Sequence, residues 1–220
     1  MTAPTESRLA AAVALRDLVN LFCGHDAGDE LLDRVTAVAV ALADEMRSKP
    51  RWDRQAILHA GLAAISDVAE RRAETFAHRA VAGPANPTSL PFDFRREGDA
   101  VSTTVELGPM HEGAPGRAHG GVIAAIFDDL TGVVPAMIGA MAVTGRLTIH
   151  YRSPVPVETP VELRAWLHDR DGRKLEVHAE ARHGDAVLAT AEALFVTIDF
   201  SRIDTELGRG VEGPGPGALS

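Results

Sequence analysis

Between Gly120 and Gly139 the chain is apolar almost throughout, and the only charges in that stretch are two adjacent carboxylates, Asp128 and Asp129. Such a run predicts a helix buried on most of its surface, and a helix that apolar needs a partner layer to cover it. The flanking sequence supplies one. Phe92 to Arg96 and Ala100 to Leu107 alternate apolar and polar residues before the helix, and Met141 to Arg152, Val161 to Arg170, Arg173 to Arg182 and Ala186 to Asp199 do so after it. Period-two alternation marks half-buried strands. Asp171-Gly172 and Gly184-Asp185 fall between the last three as hairpin turns. Gly108 to Gly116 is too rich in Gly and Pro for either regular state.

Two strands, one long helix and four antiparallel strands are most simply arranged as one sheet wrapped around the helix, the hotdog plan, in an α+β chain. The region before it is different. From Glu6 to about Ala80, apolar spacings of three and four, as in Leu58, Leu62, Ile65 and Val68, predict three helices. Their breaks are expected at Gly24 to Gly28 and Lys49-Pro50. We therefore expect an N-terminal helical extension over 1–82, a linker over 83–91 with three prolines, a hotdog domain over 92–200 and a disordered tail over 201–220.

Composition narrows the partners. Lys and Arg number 22 against 31 Asp and Glu, a net charge of -9, which argues against a general nucleic-acid binder. Cys23 is the single cysteine, so no internal disulfide and no multi-cysteine metal site exists; it is expected as a small buried residue. The first eight residues lack the apolar core of a secretory signal, and the early apolar stretch Val35 to Ala43 is far short of the roughly 20 residues that span a bilayer. A cytoplasmic protein without a membrane span is expected.

The chemistry concentrates on the apolar helix. A carboxylate inside it is costly unless paired or used. His119-Gly120-Gly121 stands at its entrance, where free backbone N–H groups and the positive end of the dipole favour developing negative charge. Glycine there admits a substrate carbonyl to the backbone. Nine positions separate His119 from Asp128, which on a helix means about 13 Å and opposite faces. If both serve one substrate, they come from two subunits of a symmetric dimer.

Two segments carry a resemblance: Glu112 to Gly132, with His119-Gly120-Gly121 and Asp128, and Thr144 to Pro156, with its Tyr151-Arg152-Ser153-Pro154 element. Together they resemble the hotdog thioesterase superfamily, closest to the branch containing mitochondrial long-chain acyl-CoA thioesterases and more distantly the phenylacetyl-CoA-pathway thioesterases. The resemblance covers about 92–200 and implies hydrolysis of an acyl-CoA to a free acid and coenzyme A. It implies Asp128 as general base or nucleophile, the Gly120 amide as the group that polarises the thioester carbonyl, His119 as support for that end, and Thr144 as the residue that orients water or the carboxylate. Gly121, His150, Arg152, Arg173 and Lys174 match substrate-binding positions, the last four contacting the coenzyme portion. No metal and no separate cofactor is implied, since coenzyme A is part of the substrate. A homodimer, or a tetramer built from it, is expected.

The sequence departs from the family at two places. An asparagine that some relatives carry before His-Gly-Gly is replaced by Glu112-Gly113-Ala114-Pro115, a loop similar to that of the long-chain branch. Asp129 stands where the family usually has an uncharged residue, and is expected to face solvent. Two other functions stay open at this point: a non-catalytic acyl-CoA-binding or regulatory hotdog protein, and a hydratase or dehydratase on the same fold.

Overall fold

The computed structural model describes residues 4–51, 77–90 and 94–198. The third expected helix with His59, the start of the first strand at Phe92 and the tail over 201–220 lie outside them. Two N-terminal helices form as the breaks predict. Helix α1 spans Glu6–Gly24 and is capped by Thr5, whose hydroxyl accepts from the Arg8 amide at 3.2 Å. Helix α2 spans Asp29–Arg47, with Asp29 and Glu30 in its first turn and Arg47 in its last, each sign placed to suit the helix dipole.

Six strands follow: β1 Arg95–Glu97, β2 Ala100–Glu106, β3 Ala142–Tyr151, β4 Pro160–Asp171, β5 Lys174–His183 and β6 Ala186–Thr197. They make one antiparallel sheet in the order β1-β2-β4-β5-β6-β3. The β4–β5 hairpin closes with Asp171 opposite Lys174, so Gly172 and Arg173 make the turn, and Gly172 takes the positive φ of 55° that this tight turn needs. Along β4 and β5 the inward residues Val161, Leu163, Ala165, Leu175, Val177, Ala179 and Ala181 are buried, while Glu162, Arg164, Glu180 and Arg182 alternate with them on the outer face.

Helix α3, Gly120–Thr131, lies on the inner face. Its Ile123, Ile126, Phe127 and Leu130 are buried and join the inward residues of the sheet in one core. Phe127 is fully buried, so truncating it to alanine costs on the order of 3–5 kcal/mol. The expected single helix to Gly139 is in fact two. A second short helix, α4, runs over Val133–Met137, and the break has a covalent cause: Pro135 has no N–H with which to continue the ladder onto Thr131. The Thr131 hydroxyl turns back instead and donates to the Phe127 carbonyl at 2.7 Å. The helical stretch Gly120–Met137 has the length and a mean hydropathy of 1.4 that would suit a membrane span, but here it is the core helix of the sheet.

The two edges of the sheet differ. β1 is three residues long and entirely charged, Arg95-Arg96-Glu97, which blunts it. β3 is ten residues long, pairs among the described residues only with β6, and leaves Val143 and Tyr151 half exposed. Among the described residues helix α1 docks on the short 3-10 turn Pro109–His111: a Cβ at Gly108 would fall 2.3 Å from the Asn20 side-chain oxygen, so a larger residue there would have to push that side chain aside. Cys23, expected to be buried, is exposed, because α1 covers the body of the molecule only through Leu9, Ala12, Arg16 and Asn20 and turns its other faces outward.

Candidate active site

His119 is the N-cap of α3, and its ring does the capping: Nδ1 accepts from the Gly121 amide at 3.0 Å. The His119 carbonyl takes the amides of Val122 and Ile123 at 2.9 and 3.3 Å. Of the first-turn amides, that leaves the Gly120 N–H without an acceptor among the described residues. The next peptide unit is held as well, since the Tyr151 hydroxyl donates to the Gly120 carbonyl at 2.7 Å. Behind it, the His119 amide donates to the His111 carbonyl at 2.8 Å, and His111 itself is buried, with Nδ1 accepting from the Gly108 amide. Burial lowers the His111 pKa. A single free N–H, held between a capped helix start and a tyrosine, is an oxyanion donor in form.

Asp128 lies two turns along α3 with its side chain exposed. Its Oδ1 accepts from the Thr144 hydroxyl at 3.2 Å. Thr144 reaches the carboxylate because the β3–β6 register shifts between Thr144 and Arg146, leaving Gly145 as an extra residue. The bulge lets Thr144 share the inner face with its partner Phe195, while Arg146 is opposite Leu194. Thr144 and Tyr151 are seven positions apart on one extended strand, about 23 Å. The carboxylate end and the amide end of the candidate site therefore lie at opposite ends of β3 in one chain.

Asp129 does not face solvent as expected. Its side chain is 14% exposed and its Oδ1 accepts from Arg79 Nη1 at 3.0 Å, a partner fifty positions earlier. Burial pushes the Asp129 carboxyl above the usual range, and Asp128 pushes the same way; Arg79 and the Ala82 amide pull back without cancelling.

The expected coenzyme contacts divide into two groups. His150 stands opposite Thr190 near the end of β3, and the Arg152 amide donates to the Leu188 carbonyl just beyond it. Arg173 and Lys174 sit at the other end of the sheet, where Lys174 pairs with Val196 and Val196 with Val143; the Arg173 guanidinium donates to the Thr197 carbonyl at 2.9 and 3.1 Å. One chain does not bring the two groups together.

Among the described residues, His168, Glu176 and His178 have metal-ligating atoms within 4.8 Å of one another. They lie on the outer face of the sheet. Their imidazoles stack face to face at 3.9 Å and 8°, and His178 Nε2 is engaged with Glu176 Oε1 at 2.9 Å. Lone pairs lie in the ring planes, so stacked rings point them in parallel rather than toward one ion. Three residues of the site were not singled out for roles in the sequence: Tyr151, whose Tyr-x-x-Pro element was visible but whose hydroxyl partner was not, His111, and Arg79.

Comparison with known proteins bears on this arrangement. Residues 115–190 match the family described as Thioesterase superfamily. The acyl-coenzyme A thioesterase THEM4 of Xenopus laevis is 36% identical over 93 residues, 41% of this chain and 42% of that protein. THEM4 of Mus musculus is 38% identical over 101 residues, 44% of each. The chain thus spans less than half the length of these curated relatives. The crystal structure of a thioesterase superfamily protein aligns over 89% of this chain and 97% of its own, with a TM-score of 0.72 and 28% identity. That likeness extends beyond the sheet into the N-terminal helices.

Proposed function

We propose that the chain is a hotdog thioesterase that hydrolyses acyl-CoA thioesters at sites composed from two subunits, a reading supported by the thioesterase-superfamily match over residues 115–190 and by the fold shared with a thioesterase superfamily protein. The observation that carries the reading is that each chain presents a free amide, at Gly120, and, at the other end of β3, an exposed carboxylate, Asp128, held by Thr144. The Gly120 N–H and the helix start stabilise the oxyanion that forms on the thioester carbonyl. Asp128 either takes a proton from the attacking water or attacks the carbonyl carbon itself, giving an acyl anhydride that water then opens. In both routes the carbon–sulfur bond breaks, the thiolate is protonated, and the products are a free acid and coenzyme A.

The open β3 edge supports a homodimer. Antiparallel pairing of two β3 strands about a two-fold near Leu147 sets Thr144 of one chain beside the partner's Tyr151. Asp128 and Thr144 then face the partner's Gly120. The same operation brings Arg173 and Lys174 to the end of the sheet that holds the partner's His150 and Arg152, gathering cations for the phosphates of coenzyme A. A tetramer built from such dimers is compatible with this site, and the cytoplasm with its substrate.

Hydration of an enoyl-CoA fits less well, because His119 commits Nδ1 to the Gly121 amide and serves as a cap. The test is thiol release from a panel of acyl-CoAs of increasing chain length, alongside water addition to enoyl-CoA. Thiol release by the wild type, lost by a factor of about 10²–10⁴ in Asp128→Asn, is the expected result. Tight acyl-CoA binding without turnover at any chain length would instead make this a binding protein.

A further inference from the structure

Asp129 has no part in the chemistry above, yet it is the more buried of the two adjacent carboxylates. Its Oδ1 is bonded to Arg79, and its Oδ2 is buried without a hydrogen-bond partner among the described residues. A half-buried ion pair whose second oxygen has no partner within hydrogen-bond distance, the Ala82 amide being near enough only to favour the charge, is a poor source of stability, since desolvation offsets most of what the pairing returns. The raised pKa of Asp129 reports the same imbalance.

The other end of the pair is fixed in place. Arg79 belongs to a segment, 77–90, folded onto itself by bonds from the Ala85 amide to the Ala77 carbonyl at 2.8 Å and from the Leu90 amide to the Val81 carbonyl at 2.7 Å. The Asn86 side chain donates to the Arg79 carbonyl at 3.1 Å. A Cβ at Gly83 would fall 2.3 Å from the Arg79 amide nitrogen, so the turn closes under Arg79 only with glycine there. Arg16 of α1 then ties the segment down, donating to the Ser89 and Asn86 carbonyls at 2.6 and 2.9 Å. Arg79 is thus presented by a rigid loop rather than by a free surface chain.

We propose that Asp129 is a positioning residue for the reaction: through Arg79 it locks the rotation of α3 against the N-terminal extension, and so sets where Asp128 points. The inference rests on the thioesterase reading. Asp128 and Asp129 are neighbours about 100° apart around one helix, so holding one on the N-terminal side aims the other at Thr144. The extension then takes part in catalysis without touching substrate, by way of Arg16, the 77–90 segment, Arg79 and Asp129.

The test compares kcat and KM for acyl-CoA hydrolysis by the full chain carrying Asp129→Asn, Arg79→Gln, both together, or Arg79→Lys. Displacing a reacting group by a fraction of an ångström to an ångström costs up to about a hundred-fold in rate. We expect each neutralising variant to lose about ten-fold in kcat with little change in KM, the double variant to lose no more than either single, and Arg79→Lys to recover part of the loss. A folded Asp129→Asn with wild-type kcat would overturn the proposal, as would a loss confined to KM or losses that multiply in the double variant. If Asp129→Asn does not fold, Arg79→Lys decides on the same kcat. A wild type without turnover removes the thioesterase reading itself, whereas an active wild type with unaffected variants removes only this inference.

Discussion

Replacing Thr144 by valine removes one hydroxyl and keeps a β-branched side chain of nearly the same shape, so the strand itself is little disturbed. What is lost is the bond from Thr144 Oγ1 to Asp128 Oδ1 at 3.2 Å. A hydrogen bond to a charged group contributes about 1.5–3 kcal/mol when sheltered. Both groups are exposed in the single chain, and water competes for the carboxylate, which brings the figure to about 1 kcal/mol. At 1.36 kcal/mol per factor of ten, that is about a five-fold fall in rate. The loss belongs in kcat, since the bond orients the carboxylate and does not hold the substrate. Steady-state thiol release measures it, with Thr144→Ser as the control that restores the hydroxyl. Unchanged kcat in Thr144→Val, or a rise in KM alone, would refute the orienting role; an equal loss in Thr144→Ser would refute the hydrogen bond as its cause.

Two further outcomes follow from the geometry around Gly120. His111 is buried and neutral in the fold, with its pKa lowered by burial. The unfolded chain therefore takes up its proton first, so the stability present above the ordinary histidine value of about 6.5 is lost as pH falls through it. Melting temperatures between about pH 7 and pH 5 should drop more steeply for the wild type than for His111→Asn, and parallel curves would contradict the assignment. A Cβ added at Gly121 would stand 3.0 Å from His119 Nδ1. Gly121→Ala should displace the capping ring and weaken the helix start by about 1 kcal/mol, seen as a lower melting temperature together with a lower kcat.

Much of the sheet was legible because its rules are local. Alternation along β4, β5 and β6, with glycine at 172 and 184, gives both strands and turns from neighbours in sequence. The helix is shorter than its apolarity predicts because apolarity alone does not register the missing amide of Pro135. Asp129 departs from the expected solvent-facing position for the opposite reason: its partner, Arg79, lies fifty positions away, and no spacing rule links the two. Cys23 is exposed because α1 meets the described residues by a narrow stripe, with Arg16 on the 77–90 segment and Asn20 on the turn before His119. The same distance in sequence hid the role of Tyr151, which meets Gly120 across thirty-one positions. Geometry at the candidate site thus depends on contacts between elements that the pattern of each element does not encode.

Subunit complementation tests the central claim most directly. Asp128→Asn removes the carboxylate, and Gly120→Pro replaces the free N–H by a ring that closes the approach to it, at a first helical position where proline is tolerated and His119 already has the extended backbone that proline requires. Each variant alone should be inactive. Refolded together, half of the dimers are mixed, and each mixed dimer holds one intact site made of Asp128 from one chain and Gly120 from the other, so about a quarter of the wild-type thioesterase activity should return. Recovery at that level is the predicted result. No recovery from mixed dimers shown to have formed would place carboxylate and amide in the same chain and contradict the account.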